Sequence, residues 1–117
     1  MSDIQELIEK VIKFRDDRDW KQFHTPKDLA INVSLEASEV LEHFLWKNKK
    51  EIKEHIENHK SDIADELADV FVTILLMSHD LKVDIKDAVL NKLKQNEKKY
   101  PISRAKGKHL KYTAYQK

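Results

Sequence analysis

The sequence has no cysteine, one glycine and two prolines in 117 residues. Without cysteine there is neither a disulfide framework nor a thiolate metal site, which agrees with a reducing compartment. A single glycine excludes both GxxxxGK[ST] and GxGxxG loops. Any phosphate handled by this chain must therefore be held by cations and metal instead of a cradle of backbone amides. No apolar run approaches the roughly 18 residues of a membrane span, and the N-terminus lacks a basic-then-apolar signal pattern. The expectation is a cytoplasmic protein with no membrane partner. What remains is 37% charged and 40% hydrophobic, a helix-rich composition in one domain with a modest core.

The formal net charge of +1 conceals an asymmetry. Residues 92–117 hold nine of the 22 Lys and Arg and only one of the 21 acids, Glu97. An acidic body with a basic tail suits a nucleic-acid arm, or carboxylates for a metal and cations for phosphate in one site. The tail has no run of five like charges, so no nucleic-acid polymer is expected as a partner.

Hydrophobic periodicity predicts four amphipathic helices and one short extra segment. The first is capped by Ser2 with Gln5 as its capping-box partner, carries Ile4, Leu7, Ile8, Val11 and Ile12, and fades near Asp19. Thr25, Pro26 and Asp28 form a start signal for the second, which should run to about Trp46. The polar stretch 47–60 holds Ile52 and Ile56 four apart, enough for a short surface helix. Ser61 or Asp62 should cap the third helix, whose stripe is Ile63, Leu67, Val70, Phe71, Ile74, Leu75 and Leu81. Asp84 should cap the fourth, built on Ile85, Ala88, Val89 and Leu93, with Pro101 stopping it after Tyr100. These periods support only an all-α, four-helix bundle-like architecture. With Val72, Leu75, Leu76 and Met77 the third helix is apolar nearly all round, which in so small a chain points to a subunit interface.

Glu36 departs from the pattern. It falls inside the stripe of Leu29, Val33, Val40 and Phe44, where an unpaired charge is costly and must be neutralised, paired or metal-bound. Glu39 lies three residues on, on the same face. Glu66 and Asp69 repeat that spacing on the third helix, with Asp62 one turn before. Four carboxylates brought together repel one another, and a hard divalent cation removes that cost; oxygen-only ligands favour Mg²⁺ or Mn²⁺ over zinc. Exposure on a solvated helix accounts for Glu42, Glu51, Glu54 and Glu57, but not for Glu36.

The fourth helix shows the opposite departure. Its apolar face continues into Lys92, Asn96 and Tyr100, which suits an anionic ligand, though lysine at a helix end also snorkels and complements the dipole. His43 projects near Glu36 and Glu39 as a structural residue or one beside the metal. The Glu-x-x-His pairs of carboxylate-bridged di-iron bundles are missing. His24 stands before the second helix, either touching a ligand or solvated. His55, His59 and His79 read as surface positions. Trp20 and Trp46 suit core, interface or a stacked base. The residues leave two functional classes open: a metal-dependent enzyme, or a non-catalytic helical interaction module that binds metal incidentally.

In this order and with these flanks, Glu36-Ala-Ser-Glu39 and Glu66-Leu-Ala-Asp69 resemble the E-x-x-E, spacer, E-x-x-D pattern of the MazG-like nucleotide pyrophosphohydrolases. The resemblance covers almost the whole chain as a single domain, with a helical body over 1–100 and a basic tail over 101–117. It is nearest to the small dCTP pyrophosphatase-like branch, through "RDWKQFHTPKDLA", "EASEVLEHFLWK", "DELADVFV", "KVDIKDAVLNKLKQNEKKYP" and "KYT". It implies hydrolysis of a nucleoside triphosphate, usually deoxy, to monophosphate and pyrophosphate in nucleotide-pool house-cleaning, by a homodimer or tetramer. It also implies Mg²⁺, with Mn²⁺ as a substitute, held by Glu36, Glu39, Glu66 and Asp69. Glu36 or Glu39 would take the proton from water. Lys92 and Asn96 carry over from the family's basic segment, Arg104 and Lys111 join them as phosphate contacts, and Trp20 and Trp46 would wall the base. Where the branch tends to carry His and Tyr, this chain has Val11 and Thr73, so the branch's base preference does not carry over.

Overall fold

Each main helix begins on a side chain able to satisfy its free amides. In the computed structural model, which describes residues 2–115, Ser2 Oγ accepts from the Gln5 amide at 3.1 Å and starts α1, Asp3–Asp17. Only the Ser2 half of that capping box forms. Thr25 and Asp28 make a full reciprocal box at the start of α2, Pro26–Glu42. Asn48 and Glu51 make another at the start of α3, Lys49–Asp80. Asp84 accepts from the Asp87 amide at 3.0 Å and starts α4, Ile85–Lys99. A single turn, α5, spans Ile102–Ala105, and 3-10 turns cover Lys21–Phe23 and Tyr112–Tyr115. No strand occurs among the described residues, so the fold is all-α as the periodicity predicts. None of these helices is long and apolar enough to cross a membrane.

Two boundaries differ from expectation. The predicted surface helix and third helix are both present and meet end to end within α3 at a kink, where His59 leaves helical geometry (φ −128, ψ 25), so the junction falls just before Ser61 and Asp62. Neither Ser61 nor Asp62 caps it; Asp62 Oδ2 instead accepts from the His59 ring at 3.3 Å. The Asn48 box, eleven residues earlier, supplies the start that the polar composition of 47–60 conceals. Helix α2 stops at Glu42, short of Trp46, because the chain turns back over 43–48 and Trp46 adopts a left-handed φ of +63.

The chain divides into two compact units, Met1–Val83 and Asp84–Lys117. In the first, α3 packs against both α2 and α1, burying Leu29, Leu75 and Leu76. Arg15 of α1 is buried with them at 1% exposure and forms a two-pronged ion pair with Asp80 at 2.7 and 2.8 Å. Removing one partner would leave the other charge buried and unpaired, the costly case for an interior ion pair. The Arg15 hydrogen bond holds the Asp80 carboxyl below the usual range. In the second unit, Tyr100, Tyr112 and Tyr115 pack edge to face. The Arg104 guanidinium donates to the Tyr115 carbonyl, and Tyr115 Oη accepts from the Leu110 amide.

An apolar groove between α1 and α3 is lined by Leu7, Val11, Leu67, Phe71 and Val72 among others. Leu7, Leu67, Phe71 and Val72 are exposed there, although Leu75 and Leu76 of the same helix are covered within the chain.

Asp80→Asn is expected to lower stability in urea unfolding by about 3–5 kcal/mol, and the double change Arg15→Met with Asp80→Leu to recover most of that loss. Because the native Asp80 pKa is depressed, this contribution is present above the ordinary carboxylate pKa of 3.8 and is lost as pH falls through the lower native value.

Candidate functional site

The turn over 43–48 makes α2 and α3 a helical hairpin, and that hairpin assembles the site. Three-residue spacing puts Glu36 beside Glu39 on α2 and Glu66 beside Asp69 on α3. Packing of the two helices then brings one oxygen from each of these carboxylates within 4.8 Å of all the others. The four acids singled out by spacing form the one cluster of three or more potential metal ligands among the described residues.

Their surroundings are unequal. Glu36 and Glu66 are half-buried, while Glu39 and Asp69 are exposed. Oε2 of Glu36 and Oε2 of Glu66 are both buried with no hydrogen-bond donor. A shared proton with the Glu39 carboxyl, desolvation, and the negative charges of Glu39, Asp69 and Glu36 push Glu66 up to about 7. Glu36 is raised too, by desolvation first and then by the charges of Glu39 and Asp69. Buried anionic oxygens without donors are costly as a purely structural feature. They suit a cation, and an all-oxygen set of four carboxylates fits a hard divalent ion such as Mg²⁺ or Mn²⁺.

The aromatic and basic candidates lie elsewhere along the chain. Trp20 and His24 precede α2. Trp20 packs edge-on against Phe14 of α1 at 5.8 Å, and its amide donates to the Arg15 carbonyl. His24 Nδ1 is buried without a partner. Trp46 follows α2 and is 96% exposed. Lys92 is exposed on α4 and Asn96 is half-buried there, with the Asn96 carbonyl accepting the Tyr100 amide at 2.8 Å. Arg104 is engaged with the Tyr115 carbonyl of its own tail, and Lys111 is exposed. Of the two departures from the branch pattern, Val11 lines the apolar groove. Thr73 is buried one turn beyond Asp69 and donates to the Asp69 carbonyl at 3.1 Å.

His55 and His59, read as surface positions, prove to be organised with His43, read as structural or beside the metal. His43 and His55 are half-buried, with Nδ1 and Nε2 only 2.8 Å apart, and the His59 ring stacks on His55. The four-residue spacing of His55 and His59 signalled a shared helical face, but nothing local signalled the partner on α2.

Raised carboxyl pKa values have a definite consequence for the metal-free protein. The native state holds the Glu66 proton more tightly than the unfolded chain does, so this group costs stability as pH rises from the ordinary 4.5 through about 7. Glu66→Gln is therefore expected to melt above the wild type at pH 8 in EDTA. Mg²⁺ should raise the melting temperature of the wild type more than that of the variant, as thermal denaturation with and without the ion would show.

Comparison with known proteins gives a consistent family placement. The profile of the MazG-like family matches residues 31–114. The dCTP pyrophosphatase 1 of Bos taurus is 31% identical over 103 residues, which is 86% of this chain and 61% of that protein. That of Rattus norvegicus is 33% identical over the same shares. The chain thus spans about three fifths of the length of these curated relatives. Among solved structures, a pyrophosphatase from Archaeoglobus fulgidus superposes with a TM-score of 0.81 at 36% identity, covering 86% of this chain and 94% of that one. From its acidic hairpin to its basic tail, this chain belongs to the MazG-like family.

Proposed function

We infer that the protein is a Mg²⁺-dependent nucleoside triphosphate pyrophosphohydrolase, acting on deoxynucleotides and releasing monophosphate and pyrophosphate. The observation that carries this reading is the cluster of four carboxylates with two buried, donorless oxygens. The names of its relatives, dCTP pyrophosphatase and pyrophosphatase, agree with it and make dCTP or a modified dCTP the first substrates to try.

Glu36, Glu39, Glu66 and Asp69 would hold the ion. When bound, Mg²⁺ supplies neutralisation of phosphate charge and orientation of the attacking water. A carboxylate oxygen of Glu36 or Glu39 accepts the water proton as the oxygen bonds to the α-phosphorus. The α–β bridging P–O bond breaks, and pyrophosphate departs with that oxygen. Lys92 and Asn96, with Arg104 and Lys111 in the same basic segment, provide cations and an amide for the phosphate chain. Trp20, Trp46 and His24 provide surfaces for the base, Trp46 offering an almost fully exposed indole. The exposed apolar groove on α1 and α3 supports self-association into a dimer or tetramer.

A panel of canonical and modified nucleotides tests this, read as pyrophosphate release with Mg²⁺ and with EDTA. Release should require the metal and leave nucleoside monophosphate. Glu36→Gln should lower kcat by about 10²–10⁴, the usual share of a positioned proton acceptor. Trp46→Ala should raise KM about tenfold, as expected for loss of one base-stacking surface. A folded protein that binds Mg²⁺ yet releases nothing from any nucleotide would instead be a helical interaction module.

A further inference from the structure

Three imidazoles gather where α2 ends and α3 begins. His43 Nδ1 and His55 Nε2 are 2.8 Å apart. The His59 ring lies over His55 with centroids 4.4 Å apart and planes 23° from parallel, and Phe44 meets His55 edge-on at 6.3 Å. Two ring nitrogens at hydrogen-bond distance must divide one proton, one donating and the other accepting, so at most one of the two rings is an imidazolium. With both protonated, two donors and two positive charges face each other and the contact is repulsive.

This bond joins the residue that caps the C-terminus of α2 to the first part of α3. It closes the connection on which Trp46 sits. That residue holds a left-handed φ of +63, an unfavourable conformation for a bulky side chain. Its indole is 96% exposed, so no packing of its own keeps it there. The turn is otherwise tied by main-chain bonds, Phe44 and Leu45 to the Leu41 carbonyl at 2.9 and 3.1 Å and, next to Trp46, Lys47 to the Phe44 carbonyl at a long 3.4 Å. Strain maintained in an exposed aromatic turn requires a brace from the surrounding structure.

We propose that His43 and His55 are positioning residues that form a latch on the Trp46 turn, closed while at most one imidazole is charged and opened when both are. The charged neighbours of His55 are His43 at the end of α2, Lys47 in the connection, and His59 and Asp62 on α3. Desolvation and then the positive charges of His59, Lys47 and His43 hold His55 below its ordinary 6.5, with Asp62 opposing. The latch is thus closed at neutral pH. Its contribution is fully present above pH 6.5 and is lost as pH falls toward the depressed native value. Any effect of the latch on base binding through Trp46 rests on the functional reading above, whereas the latch itself does not.

The test uses the full chain without metal or nucleotide. Amide exchange at Leu45 and Lys47 is measured by NMR at pH 7.5 and 5.0, and corrected for the intrinsic pH dependence. Wild-type protection should fall at least tenfold at pH 5.0. His55→Ala should be unprotected at both values. His55→Gln, whose amide can donate to or accept from His43 in either state, should stay protected at both. Protection that is independent of pH in the wild type, retained by His55→Ala, or lost with pH in His55→Gln would overturn the latch. Should these results hold while no nucleotide is hydrolysed, the functional reading fails and the latch stands.

Discussion

Mutual repulsion of four carboxylates is the constraint around which the first unit is arranged. Glu36, Glu39, Glu66 and Asp69 each present an oxygen within 4.8 Å of the others, and an unconstrained chain would spread them apart. The hairpin of α2 and α3 opposes that tendency through the burial of Leu29, Leu75 and Leu76. The Arg15–Asp80 pair fastens α1 to the far end of α3, so the acids sit on helices held from several directions. Cost is concentrated at the two half-buried members, Glu36 and Glu66, whose raised pKa values record it. An arrangement unfavourable for the metal-free fold and favourable for cation binding is a mark of function over stability.

The chain distributes its chemistry by unit. Glu36, Glu39, Glu66 and Asp69 belong to the first unit, on α2 and α3, whereas Lys92, Asn96, Arg104 and Lys111 all belong to the second. That division follows the charge asymmetry of the sequence. The scarcity of glycine also explains the strain at Trp46. A left-handed turn after a helix is ordinarily given to glycine, but the only glycine here is Gly107, which itself adopts a positive φ of 78. The tryptophan at that turn holds its indole 96% exposed.

Thr73 is buried on α3 one turn beyond Asp69. Its hydroxyl turns back to the Asp69 carbonyl one helical turn earlier, satisfying itself locally and offering nothing outward. Val11 likewise contributes only apolar surface, to the groove on α1 and α3.

The sequence by itself determined the helices, most of their caps and the four acids. Capping, periodicity and E-x-x-E spacing are set by residues within about four positions of one another, so they are legible along the chain. Glu36 announced the site because a charge inside an apolar stripe is a local contradiction. Only the tertiary structure decided that Arg15 pairs with Asp80, 65 residues away, that His43 meets His55, and that the two helices of α3 meet directly at a kink at His59. It also decided that the helix before Trp46 ends early and turns the indole outward. Those features depend on the register between helices and on the path of the connection, which follow from the summed packing of the hairpin and leave no periodic trace in the residues themselves.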